Sequence, residues 1–182
     1  MPTEGIRTCG GIPRRRPRSI CGSCATNGNV TDPRIEARIP PSARLVLDTS
    51  VLVAFLTATE PVSGLARTVI EEFLGRGRNE GFVSALSVGE VLVRPALTGD
   101  ARGVALDILD MPGLELRSVD LLVGAEAARI RGMSRLPMPD AIVIATAVLT
   151  RSDVLVTNDR RLAGAMPEVV PDTDVVLLSD LV

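Results

Sequence analysis

Four acids stand out among the residues able to do chemistry: Asp48 in Leu47-Asp48-Thr49-Ser50, Glu90 in Ser87-Val88-Gly89-Glu90, Asp140 in Met138-Pro139-Asp140, and Asp159 in Thr157-Asn158-Asp159. The chain lacks His, Trp and Tyr, and all 20 of its basic residues are Arg. That excludes a His general base, a Ser-His-Asp triad and any His metal ligand. It also excludes a phosphate-loop lysine. Asp, Glu, Ser, Thr, Cys, Arg and the backbone remain.

Singly, each acid has an architectural explanation. Asp48 could cap the helix that follows it. Ser87-x-x-Glu90 matches a capping box. Asp140 falls in the first turn of a helix, where the dipole favours negative charge. Asp159 could shape a turn after a strand. Together they suggest more, because strand C-termini and helix first turns share one edge of an open parallel sheet, where ligands bind. Carboxylates gathered there repel one another unless a cation joins them. Hard oxygen donors suit Mg²⁺ or Mn²⁺. Such an ion acidifies water and stabilises charge on a phosphoryl group, with no need of His or Lys.

The elements that must position these acids alternate between strand and helix. Residues 44–48 read as a buried strand ending in an acid. Helical stretches follow over 51–57 and 61–75. Strands are predicted at 82–85, 114–117, 154–157 and 174–178. Helices are predicted at 87–97, broken or ended by Pro95, and at 101–109 and 120–131. A nearly all-apolar helix is predicted at 139–150, with Pro139 well placed at its start. This alternation implies a mostly parallel sheet covered on both faces.

Residues 1–42 differ from the rest. They hold Cys9, Cys21 and Cys24, many Pro and Gly, and seven Arg against three acids, a charge of +4 that leaves −6 for the remainder of a chain of −2. Such a segment is expected to be a disordered tail, with the folded domain at 43–182. Cys21-Gly22-Ser23-Cys24 reads either as half of a zinc or redox pair or as incidental thiols. Three Cys without His make a poor structural zinc site. As a basic arm the tail would add salt-sensitive affinity for RNA. No apolar run approaches the roughly 20 residues of a membrane helix, and no apolar stretch follows Arg14–Arg16 as in a secretory leader. A cytoplasmic protein is expected.

The motifs around the four acids, in order, resemble those of PIN-domain proteins: Leu47-Asp48-Thr49-Ser50-Val51-Leu52, Ser87-Val88-Gly89-Glu90-Val91, Leu136-Pro137-Met138-Pro139-Asp140-Ala141, and Leu155-Val156-Thr157-Asn158-Asp159. The nearest likeness is to VapC-type toxins of bacterial toxin–antitoxin pairs, over residues 44–182. The resemblance implies a three-layer α/β/α fold with a central parallel sheet and Mg²⁺- or Mn²⁺-dependent endoribonuclease activity. It implies that Asp48 and Asp140 bind metal most directly, with Glu90 and Asp159 binding directly or through water. Ser50 and Thr157 match hydroxyl positions that support the site. A homodimer silenced by a cognate antitoxin is implied as well.

The acidic domain needs a local face for RNA. Arg76, Arg78, Arg94, Arg135, Arg160 and Arg161 are candidates, since guanidinium binds phosphate bidentately. Arg160 and Arg161 directly follow Asp159. Phe55, Phe73 and Phe82 read as core, leaving no aromatics for base stacking. A phosphatase or receiver domain built on Asp48 fits poorly, because both need a Lys and the former an acid where Ser50 stands. A PIN scaffold that binds RNA or protein without cutting, and a housekeeping RNA-processing nuclease, are the alternatives.

Overall fold

A computed structural model describes residues 32–57 and 61–182. Five short strands form one parallel sheet: β1 (Arg44–Leu47), β2 (Glu80–Ser84), β3 (Leu114–Arg117), β4 (Val154–Thr157) and β5 (Asp174–Leu177). Their order is β3-β2-β1-β4-β5. The chain builds outward from β1 to β2 and β3, then crosses to the other side for β4 and β5. Right-handed crossovers put the first set of connecting helices on one face and the second set on the other.

The core follows that division. Leu45 and Leu47 pack with α2 (Thr49–Thr57), with α3 (Ser63–Arg67) and its π-helical continuation Thr68–Leu74, and with Ile108 of α6 (Ala101–Leu109). Val46, on the opposite face of the same strand, packs with α7 (Leu121–Ser134), α8 (Met138–Thr150) and α9 (Arg160–Val169). Three layers result, helices over sheet over helices, as expected from the sequence. Phe55, Phe73 and Phe82 are all buried. No helix among the described residues is long and apolar enough to cross a membrane.

Several boundaries differ from expectation, each for a local reason. The helix expected over 87–97 is two, α4 (Ala85–Val91) and α5 (Val93–Thr98). Pro95 lies in the first turn of the second, where it needs no intrahelical donor. No helix was expected after Asp159, yet α9 runs from Arg160 to Val169 with Pro167 inside it. That proline and a short polar start conceal its amphipathic pattern.

Residues before 43 also pack on this body. Asp32 caps the short helix α1 (Pro33–Glu36), and its carboxylate accepts from the Arg34 amide. Ile35 and Ile39 are fully buried in the same core cluster as the apolar residues of α2 and α3. Two isoleucines spaced by one helical turn are enough to bring this polar stretch onto the body. Cys9, Cys21 and Cys24 lie outside the described residues.

Candidate active site

The strand register sets the site. Leu47 lies beside Val83 of β2 and Val156 of β4, so the C-terminal ends of the three central strands are nearly level. The order in which strands are added reverses between β1 and β4, which stay parallel, and this is the switch point where open α/β sheets bind ligands. Asp48 leaves β1 there, and its amide donates to the Val156 carbonyl at 3.1 Å. Asp159 leaves β4 two residues beyond its end and caps α9. Glu90 projects from α4, which follows β2, and Asp140 lies in the first turn of α8.

Asp48 is buried, with 8% of its surface exposed. Its Oδ2 accepts from Ser50 Oγ at 2.6 Å, Thr157 Oγ1 at 2.9 Å and the Ser50 amide at 3.3 Å. The two hydroxyls cannot reverse roles freely, because each has one proton. Ser50 Oγ meanwhile accepts from the Asn158 amide at 2.8 Å, and Thr157 Oγ1 from the Asp159 amide at 3.0 Å. Loop amides therefore hold the hydroxyls, and the hydroxyls hold Asp48 Oδ2. Its Oδ1 has no donor among the described residues.

The same division recurs in the other acids. Glu90 Oε2 accepts from Thr49 Oγ1 at 2.7 Å. Asp159 Oδ1 accepts from the Arg161 amide at 2.7 Å and the Leu162 amide at 3.3 Å, as an N-cap does. Asp140 Oδ2 accepts from Arg161 Nη2 at 2.9 Å. The same nitrogen lies 3.7 Å from Asp159 Oδ2. Burial raises the Asp140 pKa above the ordinary carboxyl value. Arg161 opposes that shift, while Asp159, Asp48 and Glu90 add to it. The four acids thus share one electrostatic neighbourhood.

One architectural reading fails here. Ser84 caps α4, with its hydroxyl accepting from the Leu86 amide. Ser87 is instead buried inside the helix, without a hydrogen-bond partner for its Oγ among the described residues. The strand ends earlier than the capping-box pattern implied, which leaves Glu90 free of any capping role. Asp159 is a helix cap where a turn was expected. Thr49 was not singled out from the sequence, although its place directly after Asp48 could have signalled it.

The basic candidates separate. Arg161 reaches into the acids, whereas its neighbour Arg160 pairs with Asp180 at 2.8 Å. Arg78 stacks on Phe73 at 4.0 Å and donates to the Ile39 carbonyl, on the far side of the sheet from the acids. Arg76 pairs with Glu72 at 2.8 Å. Arg94 and Arg135 lie on α5 and at the end of α7.

The donor set fits a hard divalent cation by its chemistry. It is all oxygen, and each acid keeps one oxygen that no hydroxyl or backbone amide holds. The geometry is not a ready-made cage, because no group of three acids among the described residues is placed to hold an ion.

The model of the PIN domain matches residues 45–165, a span that contains all four acids. The chain belongs to the PIN domain family. Comparison with the sequences of curated proteins gives no match. Among solved structures, this PIN domain is similar to a toxin–antitoxin complex from Klebsiella pneumoniae, with 21% identity, a TM-score of 0.55, and 74% of this chain and 97% of that one covered. It is similar to VapC20 of Mycobacterium tuberculosis, described as a sarcin-ricin loop cleaving toxin, with 16% identity, a TM-score of 0.54, and 66% and 94% coverage. FitAcB from Neisseria gonorrhoeae aligns with 22% identity, a TM-score of 0.52, and 75% and 99% coverage. At these identities the likeness is one of fold.

Proposed function

We propose that this PIN domain is an endoribonuclease that hydrolyses RNA phosphodiester bonds, and that it serves as the toxin of a toxin–antitoxin pair. The observation that carries the reading is the convergence of Asp48, Glu90, Asp140 and Asp159, from four separate elements, on the sheet edge at its switch point. Mg²⁺ or Mn²⁺ is the cofactor, held most directly by Asp48 and Asp140, with Glu90 and Asp159 completing the set. When bound, such an ion acidifies water and neutralises charge that builds on the scissile phosphate.

The chain's own groups define the rest. Ser50 and Thr157 hold Asp48 in place through Oδ2 and leave Oδ1 for the site. Thr49 orients Glu90. The acids surround the place where water must be directed at phosphorus, opposite the leaving 3′ oxygen. The bond from water oxygen to phosphorus forms as the P–O3′ bond breaks, the water gives up a proton, and O3′ takes one up. The products are a 5′-phosphate and a 3′-hydroxyl, because water and not the ribose 2′-hydroxyl attacks.

The structural neighbours support the biological role, since those described above include a toxin–antitoxin complex and a toxin named for RNA cleavage. On this reading a cognate antitoxin is the partner, the working form is a homodimer, and the protein acts in the cytoplasm.

The test is cleavage of total RNA by the full chain with Mg²⁺ or Mn²⁺ and with EDTA, beside Asp48→Asn and Asp140→Asn. Discrete fragments with 5′-phosphate ends should appear only with metal and only with the wild type. Fragments ending in a 2′,3′-cyclic phosphate would sink the mechanism. A folded protein that cuts nothing would favour a non-cutting scaffold.

A further inference from the structure

Arg161 holds a position that the four-acid site does not by itself explain. Its Nη2 donates to Asp140 Oδ2 at 2.9 Å and lies 3.7 Å from Asp159 Oδ2. These are oxygens that no hydroxyl or backbone amide holds, and so they are among those open to a divalent ion. The Asp140 side chain is only 17% exposed, while that of Arg161 is 60% exposed. The guanidinium therefore reaches in from solvent and can leave again without unpacking the core. No other described arginine pairs with any of the four acids.

Resting on the nuclease reading above, we infer that Arg161 is a built-in counter-cation on Asp140 and Asp159 that competes with a divalent ion for the acidic site and is displaced when the ion binds. A guanidinium and a divalent ion compete for the charge of these two carboxylates, and the Arg161 nitrogen that lies against both acids occupies space an ion would need. Once displaced, the side chain stays tethered two residues from Asp159, beside the scissile phosphate, and guanidinium pairs well with phosphate oxygens. Arg161 thus weakens metal binding to the free protein and supports it once an anionic substrate has drawn the guanidinium away. Metal and RNA should bind cooperatively, because each removes the obstacle to the other.

The decisive measurement is Mn²⁺ binding by the full chain without RNA, by isothermal titration, for wild type, Arg161→Gln, Arg161→Lys and Asp140→Asn. Thermal unfolding checks that each is folded. Arg161→Gln should bind Mn²⁺ at least about threefold more tightly than wild type, the scale set by losing one partly exposed ion pair. Arg161→Lys should stay near wild type. A short RNA carrying a non-hydrolysable linkage should tighten Mn²⁺ binding to wild type and do so less for Arg161→Gln. If wild type has an Asp140-dependent Mn²⁺ site and Arg161→Gln binds equally or more weakly, the counter-cation role is overturned while the nuclease reading stands. If neither wild type nor Arg161→Gln has a site sensitive to Asp140→Asn, both fall together.

Discussion

The two ends of the sheet use polar residues in opposite ways. At the C-terminal edge, charge of one sign is concentrated, and each acid has one oxygen fixed while the other is left over. At the N-terminal edge, several polar side chains bond to backbone. Asn79 Nδ2 donates to the carbonyls of Pro40 at 2.9 Å and Ala43 at 2.8 Å. Arg78 donates to the Ile39 carbonyl at 2.9 Å, and the Ser42 amide donates to the Arg78 carbonyl at 2.9 Å. Asp153 accepts from the Arg44 amide at 2.7 Å, closing the start of β1 against β4. One end clamps the entry of the chain onto the body. The other stores unsatisfied capacity that only a ligand can use. Fold stability and site chemistry are thus spatially separated, and substitutions should separate them too.

The largest effects should fall on opposite sides of that division. Asp48→Asn should leave unfolding nearly unchanged and lower RNA cleavage by about 10²–10³-fold, the cost of losing one preorganised electrostatic group. Ile39→Ala empties a fully buried position and should cost about 2–5 kcal/mol in denaturant unfolding. Its Mn²⁺ affinity should nevertheless match wild type wherever the protein is folded. If Ile39→Ala lost metal affinity in the folded state, the two ends would be coupled and the division would be wrong.

A smaller change sharpens the same division. Asn79→Ala leaves two backbone carbonyls without their donor in a buried place, and should cost about 1–3 kcal/mol. Limited proteolysis should then cut first between residues 32 and 43, since Asn79 ties that segment down. Cutting first in the loops around the acids would contradict the clamp.

The sequence made one of these ends much more legible than the other. Asp48, Glu90, Asp140 and Asp159 could be singled out because apolar strands and a wholly apolar helix lead into them, and such runs have few alternative structures. The N-terminal clamp was missed because its signal is two isoleucines, Ile35 and Ile39, within an arginine- and proline-rich stretch. Their burial depends on a core surface assembled from distant parts of the chain. The contrast between Arg160 and Arg161 was equally hidden. Successive residues of a helix point about 100° apart, so only the placement of α9 decides that one guanidinium meets Asp180 and the next meets Asp140. The break between α4 and α5 was half visible, since Pro95 marked an interruption but not whether it ends one helix or opens another.

The smallest expected effect tests whether the acidic edge carries a cost to folding. Burial first, and the neighbouring acids after it, raise the Asp140 pKa, with Arg161 opposing them. A raised carboxyl pKa means the folded state holds a proton that the unfolded state has released. Stability therefore falls as pH rises from the ordinary Asp value, about 4, through the raised one, and the penalty persists above it. Asp140→Asn carries no such charge. With metal chelated it should be slightly more stable than wild type near neutral pH, by some tenths of a kcal/mol given the solvent screening of this edge. The advantage should fade as pH is lowered below about 4, where wild-type Asp140 is protonated in both states. Melting temperatures of the two proteins across that range, in EDTA, give the comparison. A variant that is less stable at neutral pH would mean that the attraction to Arg161 outweighs desolvation and repulsion. The acidic edge would then be a stabilising ion pair and not a strained site awaiting a cation.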